Sequence, residues 1–198
     1  MVSLPRDGAT LVVGLGNPGD RYAATRHNVG AMVLDHLVST AGDRWKGQRK
    51  TRCDVAEMRW RGHQVVLARP HSFMNESGGP VAALAAFYDV TPDGIVVLHD
   101  ELDLPFGALR IKAGGGDNGH NGLKSIRRSL SSGETIRVRI GVGRPPGRQD
   151  PADFVLRPFS TEERKSLPEF IQRAADATEC VVTEGVAMAQ NRYNAAPE

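Results

Sequence analysis

His27, Asp100, Asn17, Asn75 and Asn121 carry the side chains from which this sequence could assemble a hydrolytic site. A neutral imidazole can take a proton from water as a general base. A carboxylate beside it holds the ring in one tautomer and stabilises the imidazolium that forms. Amide N–H groups can stabilise a developing oxyanion, and asparagine also offers donors and an acceptor to a peptide backbone. No serine or cysteine lies in a recognisable nucleophile motif, so the set suits hydrolysis by an activated water. Each residue also has a plainer use. A histidine before a helix is commonly a surface or cap neighbour, and an aspartate ending a strand commonly forms a turn. Asn75 and Asn121 could cap a helix or turn the chain. Phe73 and Met74 suit a core as well as a ligand wall. His99, Asp100 and His120 match no strong metal-ligand spacing, so no metal is expected.

The set is useful only if the fold gathers it. Residues 10–16 read as a buried strand followed by Asn17. Val29, Met32, Val33, Leu37 and Val38 share one face of a helix over 28–40, which Asn28 can cap and His27 precedes. "TRCDVAEMRW" and "HQVVLAR" are strands joined at Arg61-Gly62, most simply a hairpin; Asn75 follows in "RPHSFMN". "NESGGPVAALAAFYDV" is a helix after a glycine-weakened start. "GIVVLHD" is a buried strand ending on Asp100. "GALRIKA" is a more exposed strand, and His120 and Asn121 come after it in "GGGDNGHNG". "HNGLKSIRRSL" is a helix with Leu123, Ile126 and Leu130 inward, and "TIRVRIGVG" alternates as a strand. The Pro/Gly-rich stretch 144–153, "RPPGRQDPAD", reads as a flexible lid loop. Residues 161–193 are mostly helical, with Pro168 at a helix start and Gly185 at a bend, and "NAAPE" reads as a frayed tail.

Strands alternating with helices, plus a hairpin, predict an α/β fold. The expected form is a single-domain three-layer sandwich over 1–198, a mixed twisted β-sheet flanked by helices. Ligands in open α/β sheets bind beyond the carboxyl ends of the strands. If the strand ends share one edge, the polar set meets in one cleft.

Gly14, Gly16 and Gly19 in "LVVGLGNPGDRYAATRHNVG" have the spacing of a dinucleotide fingerprint. Its context fails. Pro18 removes a phosphate-binding N–H, and the helical pattern starts only near Asn28, whereas the fingerprint opens a helix. The candidate ribose acid, Asp35, falls inside that helix rather than at a strand end. The glycines read instead as a turn presenting Asn17, and no cofactor is expected.

At 198 residues the chain can bury a full core, and its net charge is only +2. The charge distribution says more. Arg44, Lys46, Arg49, Lys50 and Arg52 cluster, as do Arg137, Arg139, Arg144 and Arg148, while Lys124, Arg127 and Arg128 sit at helical spacing. Such clusters can meet a phosphate backbone or stay a solvated face. Apolar runs fall far short of the roughly 20 residues of a membrane helix, and the start shows no signal-peptide core. Cys53 and Cys180 form no motif, which fits a reducing, cytoplasmic setting.

Taken together, "VVGLGNPGDRYAATRHNVG", "RPHSFMNESG", "VVLHDELDLPFGALRIKAGGGDNGHNGLKSI" and "RIGVGRPPGRQDPADFVLRPFS" resemble bacterial peptidyl-tRNA hydrolase, in order, over roughly 11–160. Arg69 and Ser72 stand where that family more often has lysine and threonine, keeping charge and hydroxyl. The resemblance implies hydrolysis of the ester between a peptide and the 3′ ribose of tRNA, which recycles the tRNA. It implies His27 as general base, Asp100 as its support, and Asn17 as the residue that tells peptidyl-tRNA from aminoacyl-tRNA. Asn75 and Asn121 are implied as substrate-binding amides, Tyr22 and Phe73 as tRNA contacts, and Met74 and His120 as cleft walls. Lys112 and Arg139 resemble a clamp on the tRNA 5′ phosphate. The implied partner is peptidyl-tRNA, through its acceptor stem, 3′ CCA end and nascent peptide. The implied protein is a cytoplasmic monomer needing no metal, cofactor or membrane. The Lys124/Arg127/Arg128 face is a further candidate for tRNA backbone contact. An RNA-binding module of the same fold without turnover is the alternative.

Overall fold

The runs LVVG, VVLA and IVVL are apolar on both faces, the mark of parallel strands covered by helices on each side. In the computed structural model, which describes Leu4 and residues 8–195, they form three neighbouring strands. These are β1 (Ala9–Gly14), β4 (His63–Pro70) and β5 (Ile95–Glu101), with β1 parallel to both others. The full sheet has seven strands in the order β2-β3-β4-β1-β5-β7-β6. On one side β4 continues into antiparallel β3 (Cys53–Trp60) and β2 (Lys46–Gln48). The predicted hairpin is present: Trp60 faces His63 across a two-residue turn. Arg61 and Gly62 both have positive φ, 46° and 91°, as a turn matched to strand twist requires. On the other side β5 pairs with parallel β7 (Ile136–Gly141), and β7 with antiparallel β6 (Leu109–Ala113).

Helices cover both faces, giving the expected three layers. Helix α1 (Asp20–Ala23) is a single turn directly after Gly19, where the sequence pattern showed no helix. Helices α2 (Val29–Thr40), α6 (Thr161–Thr183) and α7 (Val186–Tyr193) lie on one face, with Val33, Leu34, Ala174 and Val181 in the core beneath them. Helices α3 (Gly78–Tyr88) and α4 (Asn121–Leu130) cover the other, over Leu11, Val13, Val97 and Ile126. A short α5 (Pro151–Val155) occupies the end of the stretch read as a lid loop, so only 144–150 is irregular.

Three local expectations are corrected. Pro168 lies inside α6, not at its start. The helix begins at a Ser160/Glu163 capping box instead, in which the Ser160 hydroxyl accepts from the Glu163 N–H and the Glu163 carboxylate accepts from the Ser160 N–H. Pro168 is exposed, so water can serve the carbonyl it leaves free. The tail is docked where it begins. The Ile111 N–H donates to Asn194 Oδ1 at 2.6 Å, and Asn194 Nδ2 returns a bond to the Ile111 carbonyl at 3.1 Å. These bonds occupy backbone groups on the β6 edge of the sheet; residues 196–198 lie outside the described residues. Third, β6 runs antiparallel to its neighbour and therefore ends at the sheet edge opposite the carboxyl ends of β1, β4 and β5.

The element that matters most for function is the start of α2, which crosses β1 and β5 at backbone contact. A Cβ on Gly30 would stand 2.2 Å from the Leu98 carbonyl oxygen, and one on Gly14 would stand 2.6 Å from that of Gly30. Only glycine at both positions allows the crossing, and the crossing puts the turn holding His27 above the end of β5. Gly30→Ala is therefore expected to cost about 3 kcal/mol, the upper end for overpacking against unyielding backbone. Urea unfolding checks it, and a loss below about 1 kcal/mol would show that α2 can shift.

Candidate active site

The carboxyl ends of β1, β4 and β5 open into a cleft of about 720 Å³. Asn17, His27, Phe73, Met74, Asn75, Asp100, His120 and Asn121 all line it. At its centre is Asp100, the sixth residue of β5 and almost wholly buried. His27, in the 3₁₀ turn Arg26–Asn28, directs Nδ1 at the Asp100 oxygens, at 2.9 and 3.0 Å. His120 directs Nε2 at the same Asp100 Oδ1, at 2.9 Å, with its ring 5.0 Å from that of His27.

The backbone decides the tautomers. His120 caps α4: its Nδ1 accepts from the N–H groups of Gly122 and Leu123, at 3.1 and 3.4 Å. That nitrogen carries no proton, so His120 Nε2 holds one and donates it to Asp100. His27 likewise donates Nδ1–H to the carboxylate, which leaves its Nε2 lone pair as a base. Burial works against a charged Asp100, but His120 and His27, each aimed at the carboxylate, outweigh it and hold the group below the usual carboxylate range. His99, one residue earlier, is pushed down to about 3 by burial, with His120 adding to the effect, and so stays neutral. Its Nδ1 donates to the Asp100 carbonyl at 2.7 Å.

These tautomers also bear on metal binding. His27 Nδ1, an Asp100 oxygen and His120 Nε2 lie within 4.8 Å of one another, a spacing a cation could use. A ligating His120 Nε2 would need a lone pair, which the cap on Nδ1 denies it. The donors fit a carboxylate bridging two imidazole N–H groups better than a metal.

Asn17 is held by two contacts. Its Oδ1 accepts the Met74 N–H at 2.8 Å, tying β1 to the loop after β4 and leaving the Nδ2 donors for the cleft. Its own backbone is gripped by Asn28, whose Oδ1 accepts the Asn17 N–H and whose Nδ2 donates to the Asn17 carbonyl, both at 2.9 Å. Asn28 was expected to cap α2; its side chain makes no cap bond because this bridge uses both ends of the amide. Asn75 and Asn121 do not cap either. Ser77 precedes α3, and the cap of α4 is His120, so both amides are exposed at the cleft. Met74 is buried and Phe73 half-exposed. Tyr22 meets the edge of Phe73, with ring centroids 6.3 Å apart, and stands outside the cleft lining.

His120 does not reach the cleft from a neighbouring strand end. Because β6 ends at the far edge, the glycine-rich loop 114–119 must run back toward Asp100. Arg137, buried on β7, fastens that loop by donating to the carbonyls of Gly115, at 2.8 Å, and Gly116. Lys112 and Arg139 stand apart from the cleft, in a smaller pocket of about 170 Å³ shared with His99, Arg137 and Leu123. Arg139 is engaged there: Glu101 Oε2 accepts from its Nε and Nη2 at 2.9 and 2.8 Å. Glu101 and Asn118 line both pockets, and Asn118 Nδ2 donates to Glu101 and to Asp103. Glu101 and Asn118 escaped the sequence reading, since their partners lie on other elements. Lys124, Arg127 and Arg128 are exposed along α4 beside a separate hollow. From the lid stretch, Arg144, Asp150, Pro151 and Ala152 reach the cleft.

The family model described as "Peptidyl-tRNA hydrolase" matches residues 11–198. A peptidyl-tRNA hydrolase of Frankia alni is 55% identical over 98% of this chain and 99% of its own length. One of Streptomyces coelicolor is 56% identical over 93% of this chain and 94% of its own. The crystal structure of peptidyl-tRNA hydrolase from Acinetobacter baumannii superposes with a TM-score of 0.87 at 36% identity, covering 94% of this chain and 95% of that one.

The Asp100 shift carries a prediction with a definite sign. A carboxyl held below its ordinary 3.8 contributes stability above that pH and loses it as the pH falls toward the folded-state value. Between pH 6 and pH 3 the parent should lose stability more steeply than Asp100→Asn, which lacks the titrating group. Parallel urea-midpoint curves for the two proteins would show that the two imidazoles do not hold the charge in the folded state.

Proposed function

Because the chain belongs to the peptidyl-tRNA hydrolase family, and so cleaves the ester joining a peptide to tRNA, we propose how its cleft performs that step. A water on His27 Nε2 gives up a proton to the imidazole and attacks the ester carbonyl. The imidazolium so formed is stabilised by Asp100, which already accepts its Nδ1–H. The oxyanion that develops meets amide N–H groups, with Asn17 Nδ2 the best anchored. Collapse breaks the bond to the 3′ oxygen of tRNA. That oxygen takes the proton back from His27, and the peptide leaves as a carboxylic acid that loses its own proton to solvent. The observation that carries this reading is the tautomer lock: the His120 cap forces Nε2–H onto Asp100, and Asp100 holds His27 with its base nitrogen free.

The rest of the cleft suits a substrate that varies in both halves. Asn17, Asn75 and Asn121 offer amides to a peptide backbone, whatever its side chains. Tyr22 and half-exposed Phe73 offer rings to the unpaired bases of the 3′ CCA end. Lys112 and Arg137 leave the second pocket positive even though Glu101 neutralises Arg139, which suits a tRNA phosphate. The exposed basic side of α4 extends the surface for the acceptor stem. Segment 144–150, held to Asp103 through Arg144, acts as a lid. The reading is of a cytoplasmic, single-domain monomer acting without metal or cofactor; no helix among the described residues is long and apolar enough to cross a membrane.

Turnover of purified N-acetyl-aminoacyl-tRNA tests the base. His27→Ala should lower kcat by about 10²- to 10⁴-fold with tRNA binding changed by less than about twofold, because the base acts on water. Near-parental turnover would remove His27 from the chemistry, and binding without turnover in the parent would leave an RNA-binding module. For the second pocket, Lys112→Ala should raise KM severalfold and reduce the salt slope of binding by about 1. An unchanged slope would show that Lys112 meets no phosphate.

A further inference from the structure

Arg26 precedes His27 in the chain, yet the hydrolytic step above gives it no task. It is buried, 6% exposed, and points away from Asp100 into the joint between α5 and α6. Its Nη1 donates to the carbonyls of Pro158 at 2.7 Å and Arg157 at 3.4 Å. Its Nη2 pairs with Glu163 Oε2 at 2.6 Å, the same oxygen that closes the capping box of α6. The flat guanidinium lies over the ring of Phe154, at 4.1 Å from its centroid, and over that of Phe159, at 5.4 Å. The backbone adds to this: the Arg26 N–H donates to the Arg157 carbonyl at 3.1 Å, and Thr25 bridges to Pro158.

A buried ion pair is a poor choice for stability alone, since apolar groups of similar volume often do as well. This one is also incompletely served, with Nε buried and without a partner. What it does achieve is registration. Phe154 projects from α5 toward Arg26, while Pro151, Ala152, Val155 and Leu156 face the cleft. One backbone step along, His27 lines the same cleft. We propose that Arg26 is a positioning residue for the hydrolysis, holding the α5 wall in fixed register with the His27 imidazole so that the ester is pressed against the base. The proposal rests on His27 being that base, which His27→Ala tests separately in the same assay.

Three variants separate positioning from bulk stability. Arg26→Lys keeps the charge but loses the planar fork and the flat stack. Arg26→Met keeps most of the volume, and Phe154→Leu removes the stacked ring alone. For each folded variant, kcat on N-acetyl-aminoacyl-tRNA should fall about tenfold to a hundredfold, the scale of a small misplacement near reacting atoms, with KM within about twofold. Amide exchange over residues 152–156 should speed up about tenfold while that of β1 and β5 stays parental. A lower melting temperature with parental kcat in the folded protein overturns the proposal. So does faster exchange without loss of kcat, or a fall in kcat with exchange over 152–156 unchanged. If neither Arg26 variant folds, Phe154→Leu is judged on the same two readouts.

Discussion

One buried carboxylate with two imidazole N–H donors organises this molecule. Asp100 has left water, and the two imidazoles aimed at it, His120 and His27, hold its charge there. That arrangement constrains everything around it. The two rings meet at one carboxylate oxygen, 5.0 Å apart, and are carried by helices on opposite faces of the sheet: one precedes α2 and the other caps α4. Helix α2 must then cross β1 and β5 at backbone distance, which is why glycines stand at 14 and 30. Helix α4 must begin beside Asp100, so the chain leaving β6 at the far edge has to return, along loop 114–119 and under the hold of Arg137.

The same arrangement explains why a carboxylate would be placed there. In the resting state Asp100 faces both imidazoles. When the proposed base takes a proton, one donor becomes an imidazolium in a site with little water, and the attraction strengthens as the transition state is approached. A carboxylate already paired with arginine could not respond in that way. The arginine pairs are kept one residue to either side. Glu101 binds Arg139, and Arg26, next to His27, binds Glu163. These pairs anchor the neighbouring backbone without drawing on the charge of Asp100.

What was legible in the sequence and what was not follows from the range of the interactions. Strand ends and the Arg61-Gly62 hairpin depend on period and turn chemistry, which lie within a few residues of one another. The single turn of α1, directly after Gly19, was not legible, because four residues are too few to show a helical period. Asn28 was read as a cap because capping is local; its bridge to Asn17 spans 11 residues and competes for the same amide. Pro168 was read as a helix start because the stronger signal, the Ser160/Glu163 box, went unused. The path of His120 depends on β6 being antiparallel, a matter of topology that no local pattern records. Arg26 had no signal at all, since its carbonyl and carboxylate partners lie 131 to 137 residues away.

The two pockets share a wall, and that wall limits how a substrate can occupy both. Glu101 and Asn118 face the cleft on one side and the basic pocket on the other. The carboxylate of Glu101 accepts from Arg139, Asn118 and the Asp103 N–H, so its position is overdetermined. A substrate engaging both pockets must therefore span a rigid partition rather than induce one. For a short ligand that is an obstacle. Under the function proposed above, an RNA whose phosphates occupy the basic pocket must extend a single-stranded tail past Glu101 to bring its ester to His27. On that reading, affinity gathered from phosphates in one pocket contributes to orientation in the other, where amides alone would hold a variable peptide only weakly.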